Sequence, residues 1–258
     1  SADSASTSSA GTETGATIEE VLPRTSELLR AGMRGRGEKI VAANVDRCVV
    51  VLSATHPDFR PDAADRFLAL AELSQIPPVL VLNKVDLLDD IAHFERGIAL
   101  YREIGYCVLL TSAQSGAGCA ELAELLSTGV SLLMGPSGVG KSSLINALDP
   151  DFALRVGGVG RAGRGKHTTV GARLLPFASG GWVVDTPGFS DATHVEIELR
   201  ELGEAFPEMA GLSEGCRFRG CTHLHEPGCA VTEAVEEGQI AASRFESYRV
   251  MAAELQDR

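Results

Sequence analysis

Apolar residues along this chain come in short blocks separated by amphipathic stretches, and the blocks repeatedly end on polar or glycine-rich tetrapeptides. Within "KIVAANVDRCVVVLSA", Val49 to Val51 puts β-branched residues at consecutive positions, the pattern of a strand buried on both faces. "RPDAADRFLALAELSQ" then gathers Phe67, Leu68 and Ala71 at helical spacing, with charges on the other faces. "PPVLVLNKVD" is a second apolar strand and "FERGIALYREIG" a second helix. "YCVLLTSAQSGAG" is a strand entering a Gly/Ser loop, and "CAELAELLS" is a helix. "GVSLLMGPSGVGKS" reads as strand, loop and helix start, and "GWVVDTPGFSD" as one more strand. Strands alternating with helices, with polar motifs at strand C-termini, predict an α/β fold: a doubly wound, mostly parallel sheet with its site along that edge.

The pattern changes at both ends. Residues 1–16 are Ser/Thr/Ala/Gly-rich and lack the apolar surface needed to offset ordering entropy, so a flexible tail is expected. Residues 17–39 hold a short apolar alternation, "TIEEVLPRTSELLR", and a Gly/Arg turn, too little for a domain. The α/β texture occupies 40–192. From about Thr193 a small separate unit (193–258) follows, with "IELRELGEAFPEM" and "AVTEAVEEGQIAASRFESYRVMAAELQ" reading as helical around "EGCRFRGCTHLHEPGCA".

A chain of 258 residues suits roughly one to two domains of about 100–200 residues each. No run approaches the roughly 18 apolar residues of a membrane span. The net charge of −12 argues against a protein that coats nucleic acid electrostatically. Yet "RVGGVGRAGRGKH", Arg155 to His167, is locally basic and can touch phosphates. Of six cysteines, Cys48, Cys107 and Cys119 sit in apolar or small-residue surroundings and are expected to be buried thiols. The other three crowd together with histidine, which suggests metal ligation in a reducing compartment.

Gly135-Pro136-Ser137-Gly138-Val139-Gly140-Lys141-Ser142, continuing into Ser143, fits the phosphate-loop pattern G-x-x-x-x-G-K-[ST] between a strand and a helix. Glycines let backbone N–H groups wrap phosphate oxygens, Lys141 can reach the β and γ phosphates, and the Ser142 hydroxyl can ligate magnesium. Asp185, ending "WVVD", can hold the same ion through water, and the Gly188 N–H can meet a γ-phosphate. In "NKVD", Asn83 to Asp86 with Lys84 between them, the Asp86 carboxylate can accept both donors of a guanine edge, a pair adenine does not offer. In "TSA", Ser112 and Ala113 can supply an N–H to the guanine oxygen. Cys216-x₄-Cys221-x-His223-x₅-Cys229 offers three thiols and an imidazole, a tetrahedral structural zinc set, with His225 a rival to His223.

These motifs resemble the five nucleotide motifs of a GTPase in the order four, five, one, two, three. All would lie on one sheet edge, so rejoining the chain in a different order keeps the site intact. Together with "AANVD", "NKVDLL", "GRGKHTT", "DTPGF" and "CRFRGCTHLHEPGCAV", they resemble the circularly permuted GTPases of small ribosomal subunit biogenesis over residues 17–250. The resemblance implies a GTP hydrolase acting late in small-subunit assembly and stimulated by the subunit. It implies one structural zinc, magnesium with GTP, contacts to ribosomal RNA, and His223 rather than His225 as ligand. A monomer is expected, in the cytoplasm or alternatively an organelle matrix or plastid stroma.

Two departures qualify that expectation. Only "IEEVLPRTSELLR" resembles the end of the family's N-terminal oligonucleotide-binding (OB) barrel, so 17–39 is expected to be a barrel remnant with the rest absent. The glutamine that orients water in many GTPases is replaced by Phe189, which leaves His167 as the candidate catalytic residue, pointed to by the resemblance as well. Thr169, or its neighbour Thr168, is expected to close on magnesium. The rivals are an ATPase, a module holding GTP as a structural ligand, and a zinc-dependent RNA-binding adaptor.

Overall fold

The computed structural model describes residues 19–30, 39–151, 173–185 and 199–256. The stretch in which the Val49–Val51 strand was expected holds a second strand before it. β1 (Glu27–Arg30) pairs antiparallel with β2 (Lys39–Ala43), and the chain then turns into β3 (Arg47–Ser53). Asn44 makes the turn at φ 56, a conformation asparagine tolerates better than most residues. Its side chain accepts from the Thr25 N–H at 2.8 Å and donates to the Pro23 carbonyl at 3.1 Å. Leu28 of β1 is fully buried against Ala42 and Val45, so the small pair is tied into the main core.

Among the described residues, six strands form the main sheet in the order β5-β4-β3-β6-β8-β7, with β4 Pro78–Asn83, β5 Cys107–Leu110, β6 Val130–Met134, β7 Arg173–Pro176 and β8 Trp182–Asp185. Every pairing is parallel except that of the edge strand β7 with β8. β7 carries no sequence signal, being four residues long and ending on a proline that only an edge accommodates easily. Helices α1 (Pro61–Leu73) and α2 (Ile91–Ile104) pack on one face, where Phe67, Leu68, Ile98 and Tyr101 meet Leu80, Leu82 and Met134. Helices α3 (Cys119–Leu126) and α4 (Lys141–Leu148) cover the other, where Leu122, Leu126 and Leu144 meet Val49, Val51 and Val81. Each such buried side chain contributes about 1.5–3 kcal/mol.

From β3 the chain moves outward to β4 and β5, and from β6 it moves the opposite way to β8. The crevice between the C-terminal ends of β3 and β6 is therefore the topological switch point, where open α/β sheets bind ligands. Both the loop after β3 and the glycine loop after β6 open there.

The C-terminal unit departs from its expected helices. The first stretch is broken into α5 (Leu199–Leu202), a 3₁₀ turn (Gly203–Ala205) and α6 (Pro207–Ala210), because Pro207 fits the first helical turn and no later position. The second is split into α7 (Ala230–Glu236) and α8 (Ala242–Gln256) around Gly238 at φ 75. Leu202, Phe206, Met209, Val231, Tyr248 and Ala252 form a core of their own, joined by Ala69 of α1. Of the three cysteines expected to be buried, only Cys48 is, its thiol pushed up to about 12 by desolvation. Cys107 opens β5, at an edge of the described sheet, and is exposed, and Cys119 is half-buried.

Candidate nucleotide edge and cysteine–histidine cluster

The loop after β6 holds its shape through backbone that only glycine supplies. Gly135, Gly138 and Gly140 have φ values of 137, 83 and 98. A Cβ on Gly135 would overlap the Val51 carbonyl oxygen, and one on Gly140 the Asn83 amide nitrogen. Val139, buried, anchors the loop between them. Lys141 begins α4, and its Nζ donates to the carbonyls of Gly135 at 2.6 Å and Pro136 at 2.7 Å. Half-burial lowers its pKa from the ordinary lysine range. The cradle and its cation fit a polyphosphate. Ser142 is exposed in the first turn of α4, where its hydroxyl is free to meet a magnesium ion held by that phosphate; Ser137 and Ser143 are also exposed, while Pro136 is half-buried.

Asn83 ends β4 and is 1% exposed. Its amide nitrogen donates to the Val139 carbonyl at 3.0 Å, while its oxygen accepts from the Ala113 N–H at 3.3 Å and the Thr111 hydroxyl at 3.4 Å. One side chain thus ties together three loops from three strand ends. Lys84, at φ 67, donates to the Gly138 carbonyl at 2.7 Å and to the His56 carbonyl in the loop after β3. The His56 contact has no signal in "SATHPDF", because it uses a backbone oxygen. Asp86 is exposed in the following 3₁₀ turn, its carboxylate open to solvent.

In the "TSA" loop the Ser112 N–H is taken by the Ala117 carbonyl, and the Ser112 hydroxyl accepts from Gln114 and Ser115 N–H groups at 3.1 and 2.9 Å. Buried Ser112 therefore shapes the loop. Among the described residues the Ala113 N–H makes only its long bond to Asn83, so it is the donor of this triad best able to turn to an incoming oxygen. Asp185 closes β8. Gly188, Phe189, Thr168, Thr169 and His167, with the basic Arg155–His167 stretch, lie outside the described residues, as does the Asp185 side chain.

Some of the donors of the second site come from the C-terminal core. Cys216, Cys221, His223 and Cys229 bring one ligand atom each to within 4.8 Å of one another. The imidazole turns Nδ1 toward the thiols, 3.3 Å from Cys229 Sγ and 3.6 Å from Cys216 Sγ, while Nε2 lies 3.4 Å from the Ser213 hydroxyl. Ser213 is placed to fix the ring orientation from behind. His225 is exposed and outside the cluster. Burial pushes the Cys221 thiol up to about 12, so a divalent cation is what would favour its thiolate. Three soft donors and one imidazole in a closed, buried set fit tetrahedral zinc.

Two residues with no sequence signal support that loop. Glu226 accepts from the Thr222 N–H and hydroxyl at 2.8 and 2.7 Å and from the Leu224 and His225 N–H groups at 3.2 Å each. Tyr248 of α8 donates its hydroxyl to the Thr222 carbonyl.

Comparison with known proteins gives this arrangement a family. The RsgA GTPase family matches residues 21–194. The chain belongs to the RsgA GTPase family. A relative from Geobacillus kaustophilus, named small ribosomal subunit biogenesis GTPase RsgA, is 46% identical over 96% of this chain and 83% of its own length. A second of the same name, from Gemmatimonas aurantiaca, is 44% identical over 93% of the chain and 79% of its own. The crystal structure of YjeQ from Thermotoga maritima superposes with a TM-score of 0.75 at 39% identity, over 93% of this chain and 79% of that one. YloQ, described as a circularly permuted GTPase, superposes at 0.73 and 36% identity, over 96% and 78%. The chain is a GTPase of the RsgA type with the permuted fold. In chain order the loop ending β4 comes first, then the loop after β5, then the glycine loop after β6, all at one edge of the sheet.

Proposed function

We propose that this GTPase is a late assembly factor of the small ribosomal subunit, with hydrolysis stimulated when it docks there. The observation that carries the reading is its likeness, at 46% identity over 96% of the chain, to a protein named for that process. The strand-end loops joined by Asn83 supply the chemistry. In this reading the Gly135–Gly140 loop and Lys141 hold the phosphates, with Ser143 in the same first turn. Ser142 and Thr169 ligate magnesium with Asp185 behind them, and Gly188 meets the γ-phosphate. Asp86 accepts from the guanine edge and Ala113 donates to its oxygen. Asn83, Lys84 and Ser112 hold those loops in register. Preorganised donors around the transferring phosphoryl group would supply most of the acceleration.

His167 orients the attacking water, since Phe189 has no polar atom to do so. Zinc sits on Cys216, Cys221, His223 and Cys229 and serves to hold the C-terminal unit together. RNA contact is supported there by an exposed loop between two ligands, where Arg217 lies 5.5 Å from the ring centre of Phe218, an aromatic face open to a base. The protein works as a monomer in the compartment of its ribosomes, the cytoplasm or an organelle matrix. Among the described residues no helix is long and apolar enough to cross a membrane.

The test is GTP hydrolysis with and without purified small subunits, for the parent and His167→Ala. Stimulation of the parent and not the variant is expected. A parent indifferent to subunits would overturn the assembly reading, and an equally stimulated variant would remove His167 from the mechanism.

A further inference from the structure

Arg244 of α8 is the largest side chain with almost no exposure, and its charge is needed for nothing at either site described above. Its guanidinium donates to Asp65 of α1 at 2.7 Å, and to Glu208 of α6 at 2.7 and 3.2 Å through a two-pronged contact. It lies 4.6 Å from the ring centre of Phe206. Asp65, like Arg244, is about 1% exposed. Taking such charges out of water is costly, and a well-packed apolar cluster of similar volume commonly stabilises as well or better. What the ion set adds is direction: a planar fork accepts its carboxylates in one geometry.

The network continues from both ends. Asp65 also accepts from the Tyr101 hydroxyl at 2.9 Å, and the Tyr101 ring meets Phe59 edge-on at 6.2 Å. Phe59 belongs to the loop after β3, which is braced by the Ser53 hydroxyl donating to the Pro57 carbonyl at 2.6 Å. The His56 carbonyl in that loop receives Lys84, whose other bond is to Gly138 of the phosphate loop. On the far side, Phe206 packs edge-on against Tyr248 at 5.6 Å, and Tyr248 bonds the Thr222 carbonyl between ligands Cys221 and His223. A series of hydrogen bonds and ring contacts, joined between His56 and Phe59 by the chain itself, therefore runs from the phosphate loop to the cysteine–histidine loop, and it crosses between the two units at Arg244.

We infer that Asp65, Arg244 and Glu208 are positioning residues that transmit nucleotide occupancy to the cysteine–histidine loop. Binding that draws Lys84 and Gly138 onto a nucleotide shifts the loop after β3, and the buried fork converts that shift into a change in how tightly the C-terminal unit is held. A second ion pair across the same seam, Arg66 with Glu254 at 2.6 and 2.7 Å, lies toward solvent. It serves as the internal control.

The experiment is amide hydrogen exchange on the zinc-loaded, full chain, with no nucleotide, with GDP and with a non-hydrolysable GTP analogue. Four proteins are compared: the parent, Arg244→Met, the volume-conserving triple variant Asp65→Leu/Glu208→Leu/Arg244→Met, and Arg66→Ala. In the parent and Arg66→Ala, nucleotide changes exchange across 216–229 and 242–256 by about twofold or more. In the triple variant, which melts near the parent temperature, that response is gone although nucleotide still binds. Where the single variant folds poorly the triple variant carries the test, since it leaves no unpaired charge. A parent without the response, a triple variant that keeps it, or its loss in Arg66→Ala would each overturn the inference. None of these outcomes depends on ribosomal subunits, so the assembly reading stands or falls separately.

Discussion

The nucleotide edge and the cysteine–histidine cluster are both shaped to suit a small charged species at a fixed point, but they are made of different material. The edge is mostly backbone: carbonyls and N–H groups of loops between residues 83 and 142, gathered because three strands end on one side of a sheet. The cluster is side chains: four donors supplied by a single loop between Cys216 and Cys229. A site fixed by strand ends is indifferent to the order in which the chain visits them, so this fold tolerates permutation. A site fixed by local spacing gains nothing from the sheet and depends on every donor within its own loop.

If the difference is real, each site fails without taking the other along. Cys221→Ser should show the largest effect, with bound zinc falling from one ion per chain to nearly none by elemental analysis. Nucleotide affinity should drop by less than about tenfold, the low end of an ordinary coupling between sites. Loss of nucleotide binding outright would mean that the edge is not self-sufficient. Lys141→Ala is the converse. It removes a charge-assisted contact and should weaken GDP, read by a fluorescent analogue, about 10–100-fold, with zinc content still at one. Asp86→Ala should leave phosphate recognition in place and cut the preference for GTP over ATP about tenfold.

The same difference decided what could be read from the sequence. Strands β3, β4, β6 and β8, the helices between them and the glycine loop were legible because buried runs and G-x-x-x-x-G-K-S carry their own pattern. The four clustered donors were legible because side-chain donors have names in a sequence, although spacing alone left His223 and His225 as rivals and only the family resemblance favoured His223, the ring that lies in the cluster while His225 is exposed. What stayed hidden is what backbone and distant partners do. The His56 carbonyl under Lys84, the short edge strand β7, the split of 39–53 at Asn44 and the pairing of Asp65 with Arg244 leave no local trace.

Gly140→Ala sits at the junction of the two kinds of information, since the glycine is visible in the motif but its reason is not. Its φ of 98 and the Asn83 amide against its Cα leave no room for a methyl group. The strain should cost about 1–3 kcal/mol, seen as a lower melting temperature, and should loosen the Asn83 strut between the loops. A variant as stable as the parent would show that the phosphate loop relaxes without that strut.

Glu226 sharpens the comparison most finely, because there the cluster uses the strategy of the edge. Its two oxygens collect three backbone N–H groups and one hydroxyl from the ligand loop, shaping backbone instead of touching the cluster. Burial opposes its charge, but the Thr222 hydroxyl and the loop N–H groups outweigh it and hold the carboxyl down to about 2. Its support is therefore complete above the ordinary glutamate value and is lost only as pH falls toward 2, so at neutral pH the test must be a substitution. Gln keeps one acceptor oxygen and turns an NH₂ group toward two N–H donors, so it should lose half of the contacts. Zinc retention against a competing chelator should fall about tenfold in Glu226→Gln, the low end for residues behind metal ligands, and stay unchanged in His225→Ala. If Glu226→Gln holds zinc as the parent does, the four donors need no shaped backbone beneath them, and the contrast between the two sites is complete.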